Sequence, residues 1–334
     1  MVKNIVSILF LFFVALLFPS CSFLLSSPFS PMVSWADNEV KISDLVSDIA
    51  SPPYEGVDMR LRCVGVVDNT DTKYVIFAVF VWSSDGNKLR LIVMDDDLSV
   101  EAVFNEDDFF STPGHRFDNI FWDGSYLWWG SYKIDVGNKN VTDEGGTLTE
   151  WTNGLYVNGN YYLLKNETSG TNGLSYSSVA SSFPPSTIPT PSTLDYFSSA
   201  TSVVDNWIST WETEKYFSIL MSMDSDFIFL SVPYDISSIT GPLMDFYPHA
   251  SFSGDAGYDL WGDGTIAVGG DTILVLKEED DKNYIERYNL SGSKKSTDEW
   301  PFYDDSAFAL SRDGSVLYVF DRKSGYIYKG AVWW

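Results

Sequence analysis

Cysteine and histidine are scarce in this sequence, with two residues of each. Neither His115 nor His249 stands at the His-x-x-x-His spacing of a zinc site, and neither has a cysteine pair nearby. Cys63 lies in a predicted strand, where a lone cysteine is most often a small buried side chain. The sequence therefore predicts no zinc site, and we assign no metal ligand.

The motifs of several enzyme classes are also missing. The chain has no Gly-x-Ser-x-Gly nucleophile elbow, no phosphate-binding P-loop and no dinucleotide-binding glycine pattern. Serine is so common that no catalytic triad can be singled out. We therefore predict no catalytic residue and no organic cofactor.

Basic residues are few, since 21 lysines and arginines stand against 46 acidic residues and give a net charge of −25. Such a surface repels phosphate backbones and anionic lipid headgroups, which excludes nucleic acid as a partner. Several acidic clusters fall in predicted turns, where solvated turn residues are the first interpretation. Calcium bound by these oxygen-rich loops is the alternative, although none fits the EF-hand pattern.

The first twenty residues are typical of an export signal, with Lys3 followed by an apolar stretch over 5–18 that is too short to span a membrane. Pro19-Ser20-Cys21 then resembles the end of a bacterial lipoprotein signal. The resemblance implies a signal peptide over 1–20, lipidation at Cys21 and a place at the cell envelope, on the periplasmic or cell-surface side. The protein would meet the membrane through this lipid alone.

Other ways of processing this segment remain open. The signal is cut after Ala36 in one alternative and stays as an uncleaved anchor in another. If Cys21 carries no lipid, a disulfide with Cys63 is a further alternative. In the lipoprotein interpretation, residues 21–56 form a tether and lead-in that is rich in serine and proline at its start.

The rest of the chain is organised around one short phrase that occurs six times. Its clearest copy, DGSVLYVF at residues 313–320, is a polar turn followed by β-branched and aromatic residues. Similar stretches begin at residues 71, 123, 158, 224 and 270. Around the first copy the sequence predicts four strands, over 60–67, 73–82, 89–94 and 99–104. Four antiparallel strands in about 45 residues have the size of one propeller blade.

We therefore predict an all-β β-propeller over 57–334 with about six four-stranded blades, five or seven also being compatible with the degenerate repeats. Residues 311–319 resemble the S-x-D-G-x-x-L-Y-V phrase of bacterial propellers of the TolB-like and lactonase-like kinds. The resemblance supports the fold and implies no catalytic residue. Pairing of an N-terminal strand, such as 39–42, with residues 326–334 is one way to close the ring.

One insertion interrupts the repeats, over residues 171–215. Its Ser/Thr/Pro-rich part, 177–193, predicts an extended surface loop. Apolar residues then recur at helical spacing from Leu194 to Trp211 and predict a short helix.

Tryptophan beside an acidic residue is the feature that best fits a ligand site. Sugar sites combine a flat aromatic ring with carboxylates that accept hydroxyl hydrogen bonds. Filling of the space between blades is the other interpretation of these rings. The candidate ligand-binding residues are Glu150, Trp151, Trp211, Glu212, Trp261, Asp263, Glu299 and Trp300.

The function that these features favour is non-enzymatic binding of a protein or a carbohydrate at the cell envelope. The binding surface would be formed by inter-blade loops near 105–117, 171–215, 245–264 and 297–306. A hydrolase or lyase that attacks polysaccharide with paired carboxylates beside an exposed tryptophan is the first alternative. A structural envelope protein without a ligand is the second, and an axial channel plugged by large side chains would favour it.

Overall fold

Runs of β-branched and aromatic residues alternate with polar turns along the chain, and they form the strands and hairpins that such residues favour. The described residues of the computed structural model are 33–54, 57–65, 71–81, 87–109, 120–144, 153–157, 160–167, 173–180, 192–195, 205–213, 216–223, 226–233, 247–253, 265–280, 282–302 and 306–332. They form 24 strands and one short 3-10 turn, Glu106–Asp108. None of their helices is long and apolar enough to cross a membrane.

The strands of these residues group into six four-stranded sheets. Sheet I contains β2 (Asp58–Val64), β3 (Tyr74–Val81), β4 (Lys88–Met94) and β5 (Val100–Asn105). Sheet II contains β6 (Ile120–Trp122), β7 (Leu127–Trp129), β8 (Tyr132–Asp135) and β9 (Asn140–Asp143). Sheet III contains β10 (Asn153–Val157), β11 (Asn160–Glu167), β12 (Gly173–Ala180) and β13 (Ser192–Asp195). Sheet IV contains β14 (Asp205–Glu212), β15 (Tyr216–Met223), β16 (Asp226–Pro233) and β17 (His249–Ser253). Sheet V contains β18 (Ile266–Gly269), β19 (Thr272–Glu279), β20 (Lys282–Asn289) and β21 (Lys294–Glu299). Sheet VI contains β22 (Ala307–Leu310), β23 (Val316–Asp321), β24 (Tyr326–Val332) and β1 (Val33–Lys41).

The sheets are arranged in a ring, with their first strands around one axis. β2 contacts the first strands of both neighbouring sheets, β6 and β22, and β18 contacts β14 and β22 in the same way. β6 contacts β10, and β14 contacts β11, so each sheet lies between two others. This arrangement confirms the prediction of an all-β propeller, and the number of sheets falls within the predicted range of five to seven blades.

The second strand of sheet I shows why the sheets need each other. Tyr74, Ile76 and Phe80 on one face of β3 pack against sheet II, while Val75 and Phe77 on the other face pack against sheet VI. Successive side chains of a strand point to opposite faces, so a strand that is covered on both faces needs apolar residues at nearly every position. This explains the unbroken YVIFAVFV of β3, in which only the last residue is not buried.

Aspartate fixes the turn that begins each clear copy of the repeated phrase. The Asp123 Oδ1 atom accepts hydrogen bonds from the backbone N–H groups of Ser125 and Tyr126, at 2.8 and 2.7 Å. The Asp313 Oδ1 atom accepts one from the N–H of Ser315 at 3.0 Å. These side chains accept hydrogen bonds from backbone N–H groups that a tight turn would otherwise leave without a partner. The repeated phrase therefore specifies a hairpin, and it does not indicate a reaction.

The repeated phrase occupies the same place in five of the sheets. The copies that begin at residues 71, 123, 158, 270 and 313 lead into the second strand of their sheets, namely β3, β7, β11, β19 and β23. The copy at residue 224 leads into β16, the third strand of sheet IV. This change of position contributes to the long interval that precedes it in the sequence.

The ring is closed by strands from the two ends of the described chain. β1 pairs antiparallel with β24, with Glu39 opposite Tyr328 and Lys41 opposite Tyr326. The backbone N–H of Ile42, which is fully buried, then donates to the carbonyl of Gly325 at 3.0 Å. The strand at 39–42 that the sequence suggested for closure therefore pairs as expected, and sheet VI takes in residues from 33 onward.

The insertion differs from its prediction. The expected helix over 194–211 is wrong, because its ends lie in strands β13 and β14. Ser209 and Thr210 also have low helix propensity, and the β-branched Ile208 and Thr210 suit a strand. The expected loop over 177–193 is shorter than predicted, since β12 reaches residue 180 and pairs with β13 from residue 192.

Closure by β1 yields a prediction about stability. A chain that starts at residue 33 keeps β1, and a chain that starts at residue 42 leaves β24 without its outer neighbour. We expect the shorter chain to melt at least about 5 °C lower, because it exposes the pairing edge and the apolar contacts of β24. Trimming residues 326–334 should lower the melting temperature further. Equal melting temperatures in thermal denaturation would contradict this closure.

The turn at Asp313 yields a prediction about pH. Burial raises the pKa of this carboxyl, but hydrogen bonds from Ser311 and Ser315 outweigh burial and hold the pKa below its ordinary value. A lowered pKa gives stability that is present above the unfolded pKa of about 3.9 and is lost as pH falls through the folded pKa. We expect Asp313→Ala to lower the melting temperature near pH 7, and this deficit to shrink below about pH 4. A deficit that is constant across this range would overturn the assignment.

Candidate functional site on the axis of the ring

A narrow cavity lies on the axis of the ring, between the first strands of four sheets. The lining residues come from β2, β14, β18 and β22 and are Leu61, Arg62, Cys63, Trp211, Ala267, Val268, Phe308, Ala309 and Leu310. The space measures about 320 Å³ including the part open to solvent, and its enclosed part has room for about one water molecule.

Arg312 closes one end of the axis. This residue follows β22 and is only 1% exposed, and its Nη2 atom donates a hydrogen bond to the carbonyl of Thr213, after β14, at 3.2 Å. Its backbone N–H donates to the Oγ1 atom of Thr72, before β3, at 3.2 Å. The side chain therefore spans from sheet VI to sheet IV at the hairpin side, where the first and second strands of each sheet are joined. The opposite end of the ring is the loop side, where one sheet connects to the next.

Glycine allows the backbones to meet at the hairpin side. A Cβ atom on Gly65 would lie 2.5 Å from the carbonyl oxygen of Asp71 and 2.8 Å from Cδ of Arg312. The N–H of Gly270 donates to the carbonyl of Arg312 at 2.7 Å. Only residues without a side chain let these turns come so close to one another.

Two arginines are buried near the axis, although basic residues are scarce in this chain. Arg62 and Arg312 are 9% and 1% exposed. Burial raises the pKa of the Cys63 thiol well above its ordinary range, while both guanidinium groups act in the opposite direction and the Asp313 carboxylate acts with burial. Because burial dominates, Cys63 stays protonated at neutral pH and is a poor nucleophile.

Trp211 is the predicted site residue that the described part of the chain places at the axis. Its ring is partly buried, lines the cavity and lies 6.3 Å from the Phe229 ring, measured between centroids. Glu212 follows it in β14, but the description of the structure does not extend to the Glu212 side chain. Trp211 and Arg62 therefore line the same cavity.

Glu299 and Trp300 lie away from the axial cavity, at the end of β21. Trp300 is 5% exposed and packs on the rings of Phe302 and Phe308, at 5.2 and 5.3 Å between centroids. Its ring fills the space between sheets V and VI, and a role of Trp300 in ligand binding stays a prediction. Glu299 is exposed on the outer strand β21 and forms an ion pair with Lys282 at 3.5 Å.

The remaining predicted site residues lie outside the described residues. These are Cys21, Glu150, Trp151, Trp261 and Asp263. The same holds for most of the inter-blade loops that the sequence assigned to the binding surface. Their roles stay predictions.

Sequence reasoning missed Arg62, Arg312 and the carbonyl of Thr213. Arg312 stands inside the repeated phrase, where a charged residue is expected to be a solvated turn residue. Two features of the sequence could have pointed to these arginines indirectly. Glycines such as Gly65 and Gly270 often stand where backbones approach closely, and basic residues are scarce in this chain. Neither signal says which distant turn the arginine reaches.

The acidic turns have structural roles where the structure describes them. Asp95 Oδ1 accepts hydrogen bonds from the backbone N–H groups of Asp97 and Ser99. The Asp321 carboxylate accepts hydrogen bonds from the backbone N–H groups of Lys323 and Ser324. Among the described residues, no group of three or more histidine, cysteine, aspartate or glutamate side chains could hold a metal ion.

Comparisons with known proteins give no family. No protein-family model and no curated protein matches the chain. Among 156 matching solved structures is the β-propeller domain of Cps50 (Swd1) from Myceliophteria thermophila, with 12% identity, 82% of this chain and 98% of that chain covered, and a TM-score of 0.41. A prolyl endopeptidase structure has 12% identity and a TM-score of 0.42, and covers 79% of this chain and 45% of that chain.

A third matching structure is a DUF4623 family protein from Bacteroides eggerthii. It is 10% identical, covers 78% of this chain and 89% of that chain, and has a TM-score of 0.29. Identities and TM-scores at this level carry no argument about function. The description of the propeller therefore rests on the sheets and their ring.

The close approach at Gly65 yields a prediction with a matched control. We expect Gly65→Ala to lower the melting temperature by several degrees, because the new methyl group overlaps the Asp71 backbone and the Arg312 side chain. A Cβ on Gly137 would meet nothing closer than a side-chain oxygen of Asp135 at 3.6 Å, so Gly137→Ala should change the melting temperature little. Equal effects of the two substitutions would contradict the contact between Arg312 and the turn after β2.

Proposed function

We propose that this chain is an exported, lipid-anchored β-propeller that binds a protein or a glycan at the cell envelope and catalyses no reaction. Export and the lipid anchor follow from residues 1–20 and Cys21 in the sequence. The observation that best supports binding is the partly exposed ring of Trp211, which lines the axial cavity together with Arg62. The hydrogen bond from Arg312 to Thr213 joins sheets VI and IV on the hairpin side, and in this proposal the ligand enters from the loop side.

The loop side is the natural place for a ligand in this architecture. Connections between the sheets of a ring converge over its axis, and binding residues are most often carried on such loops above a rigid scaffold. A ligand held by these loops would reach the Trp211 ring through the open part of the cavity. Trp211 is thus the floor of the proposed site, and the loops form its walls.

A binding role is favoured over polysaccharide cleavage by the positions of the described carboxylates. The Asp313 carboxylate lies at the closed hairpin side, where its oxygens accept hydrogen bonds from the hydroxyls of Ser311 and Ser315, at 2.6 and 2.7 Å. Glu299 is on an outer strand. These groups cannot act together on a sugar at the axis, because they sit on different sides of the ring.

A structural envelope protein without a ligand is the second candidate. The buried Arg312 side chain and the large side chains around the axis are what a ring without a through-channel requires. In that case the Trp211 ring would serve the packing of sheet IV against Phe229, and no envelope molecule would bind at the loop side.

The experiment is a thermal-shift screen of the full chain, purified in detergent, against fragments of envelope polysaccharides, followed by cross-linking in intact cells. Ligand that binds only the folded state raises the melting temperature with its concentration. We expect at least one glycan class or one cross-linked protein, and we expect Trp211→Ala to weaken that binding at least about tenfold.

The control is Trp129→Phe, which changes a buried tryptophan that packs between sheets I and II, away from the axis. This variant should bind like the natural chain. Binding that survives Trp211→Ala would place the ligand elsewhere. No ligand and no cross-linked partner would leave the structural role as the better account.

The insertion in sheet III offers a further test of the loop side. We expect deletion of residues 181–191, which lie between β12 and β13, to alter binding of the same ligand while the two strands remain. Deletion of the whole of 177–193 would instead cut into both strands and destabilise sheet III. Unchanged affinity after the shorter deletion would show that the insertion takes no part in the site.

A further inference from the structure

We propose that the chain carries a second binding site, for a linear neutral oligosaccharide, on the aromatic rings of Phe302, Tyr328 and Tyr326. We call these three aromatic rings the rim row. They lie on the loop side, between sheets V and VI, and none of them lines the axial cavity. The inference goes beyond the proposed axial site, and its test does not need the ligand of that site.

The fold brings two separate stretches of chain together at the rim row. Phe302 lies in the connection from β21 to β22, which runs on the loop side because it joins one sheet to the next. Tyr326 begins β24, and Tyr328 follows two positions later on the same face, while Ile327 between them is fully buried on the other face. The turn before β24 also lies on the loop side, where the Gly325 carbonyl meets the connection from β1 to β2.

The aromatic rings of the rim row contact one another. The Phe302 and Tyr328 centroids are 5.5 Å apart with 35° between the ring planes, and the Tyr328 and Tyr326 centroids are 6.2 Å apart with 30°. Both distances are within the range of aromatic contacts, and the small angles mean that neighbouring rings are oriented alike. Trp300, which is buried, packs on Phe302 at 5.2 Å between centroids and supports the row from within.

Each residue of the rim row is partly exposed. Phe302, Tyr326 and Tyr328 thus differ from the aromatic residues of the core, such as Phe320, which has no exposed surface. The Tyr328 hydroxyl donates a hydrogen bond to Ser324 Oγ at 3.3 Å, so this ring has an apolar face and a polar tip. Contiguous apolar surface that is bordered by polar groups marks an interaction site on a soluble protein.

Polar groups of both charges border the rim row on its outer side. In the pairing of β1 with β24, Glu39 is opposite Tyr328 and Lys41 is opposite Tyr326. Residues that are directly opposite in an antiparallel pair project from the same face of the sheet, so these side chains flank the rings. Both are exposed, and the Lys41 ammonium forms an ion pair with Asp44 at 2.9 Å. Hydroxyl, carboxylate and ammonium groups together can donate to and accept from the hydroxyls of a sugar.

These features favour a neutral carbohydrate over other ligands of aromatic surfaces. An anionic polymer is repelled by the net charge of −25. A proline-rich peptide docks in grooves between aromatic side chains, whereas the rings of the rim row contact each other and leave no groove between them. A sugar instead places the apolar face of its ring against aromatic surface and bonds outward through its hydroxyls. Three successive aromatic rings suit a linear oligosaccharide better than a single sugar unit.

The experiment measures binding to the full chain by isothermal titration calorimetry, in a detergent without a sugar headgroup. The probes are cellohexaose, chitohexaose, xylohexaose and maltohexaose. We expect one of them to bind with a dissociation constant below about 1 mM, and its monosaccharide to bind at least about tenfold more weakly, because it contacts fewer rings. Decaproline should not bind. No binding of any hexasaccharide, or tighter binding of decaproline, would overturn the proposal.

Three tyrosine variants test the rim row itself. Tyr328→Ala should weaken binding of the hexasaccharide at least about tenfold, because it removes the middle ring, while Tyr328→Phe keeps that ring and most of the affinity. The matched control is Tyr126→Ala, which removes a partly exposed tyrosine from the hairpin between β6 and β7, on the hairpin side. This control should bind like the natural chain. Unchanged affinity in Tyr328→Ala would contradict the site.

Trp211→Ala separates the rim row from the axial site. We expect this variant to bind the hexasaccharide as the natural chain does, whether or not the axial cavity has a ligand of its own. Loss of binding in Trp211→Ala, together with full binding in Tyr328→Ala, would place the sugar at the axis and overturn the rim row. Loss in Tyr328→Ala alone would support the rim row and leave the axial proposal to its own test.

A direct readout covers the case in which Tyr328→Ala fails to fold. Hydroxyl-radical footprinting of the natural chain with saturating hexasaccharide should show protection of Tyr326 and Tyr328, and no change at Tyr126. Absence of protection at both rim-row tyrosines would overturn the proposal, whatever the variants do.

Discussion

Both faces of β3, the second strand of sheet I, have to be covered by neighbouring sheets, and the closed ring depends on this constraint. β3 is apolar along nearly its whole length, with Phe77 and Phe80 buried on opposite faces. Burial of such a side chain stabilises the fold by about 2 kcal/mol, but only if a neighbour excludes water from that face. A single sheet cannot do so, and an open row of sheets would leave its two end faces bare. In a closed ring, each sheet has a neighbour against both of its faces.

Closure places two demands on the chain. The last sheet must be completed by residues from the other end of the chain, which β1 does by pairing with β24. The first strands must also converge on one axis, where there is little room for side chains. Gly65 has no side chain, which leaves room for the Asp71 backbone and the Arg312 side chain. On the hairpin side, Arg312 spans from sheet VI to sheet IV and donates a hydrogen bond to the Thr213 carbonyl.

The local part of this structure could be predicted from the sequence, and the long-range part could not. The four strands of sheet I and the Asp-led turns follow from alternation, β-branching and turn chemistry, which act over a few residues. The contact of Arg312 with Thr72 joins residues 240 positions apart, and no local pattern specifies it. Trp300 shows the same limit, because whether a tryptophan fills a gap or faces a ligand depends on which sheet lies beside it. The helix expected over 194–211 failed because apolar residues spaced by three and four also fit a strand with irregular alternation.

The most direct test of the account is native-state hydrogen exchange at the amides of β24, compared with those of β23. If β1 closes the ring, β24 is an inner strand of sheet VI with partners on both sides, and its amides should exchange as slowly as those of β23, through global unfolding. Exchange of the β24 amides that is orders of magnitude faster, at a rate typical of a fraying edge, would show that the ring is not closed in this way.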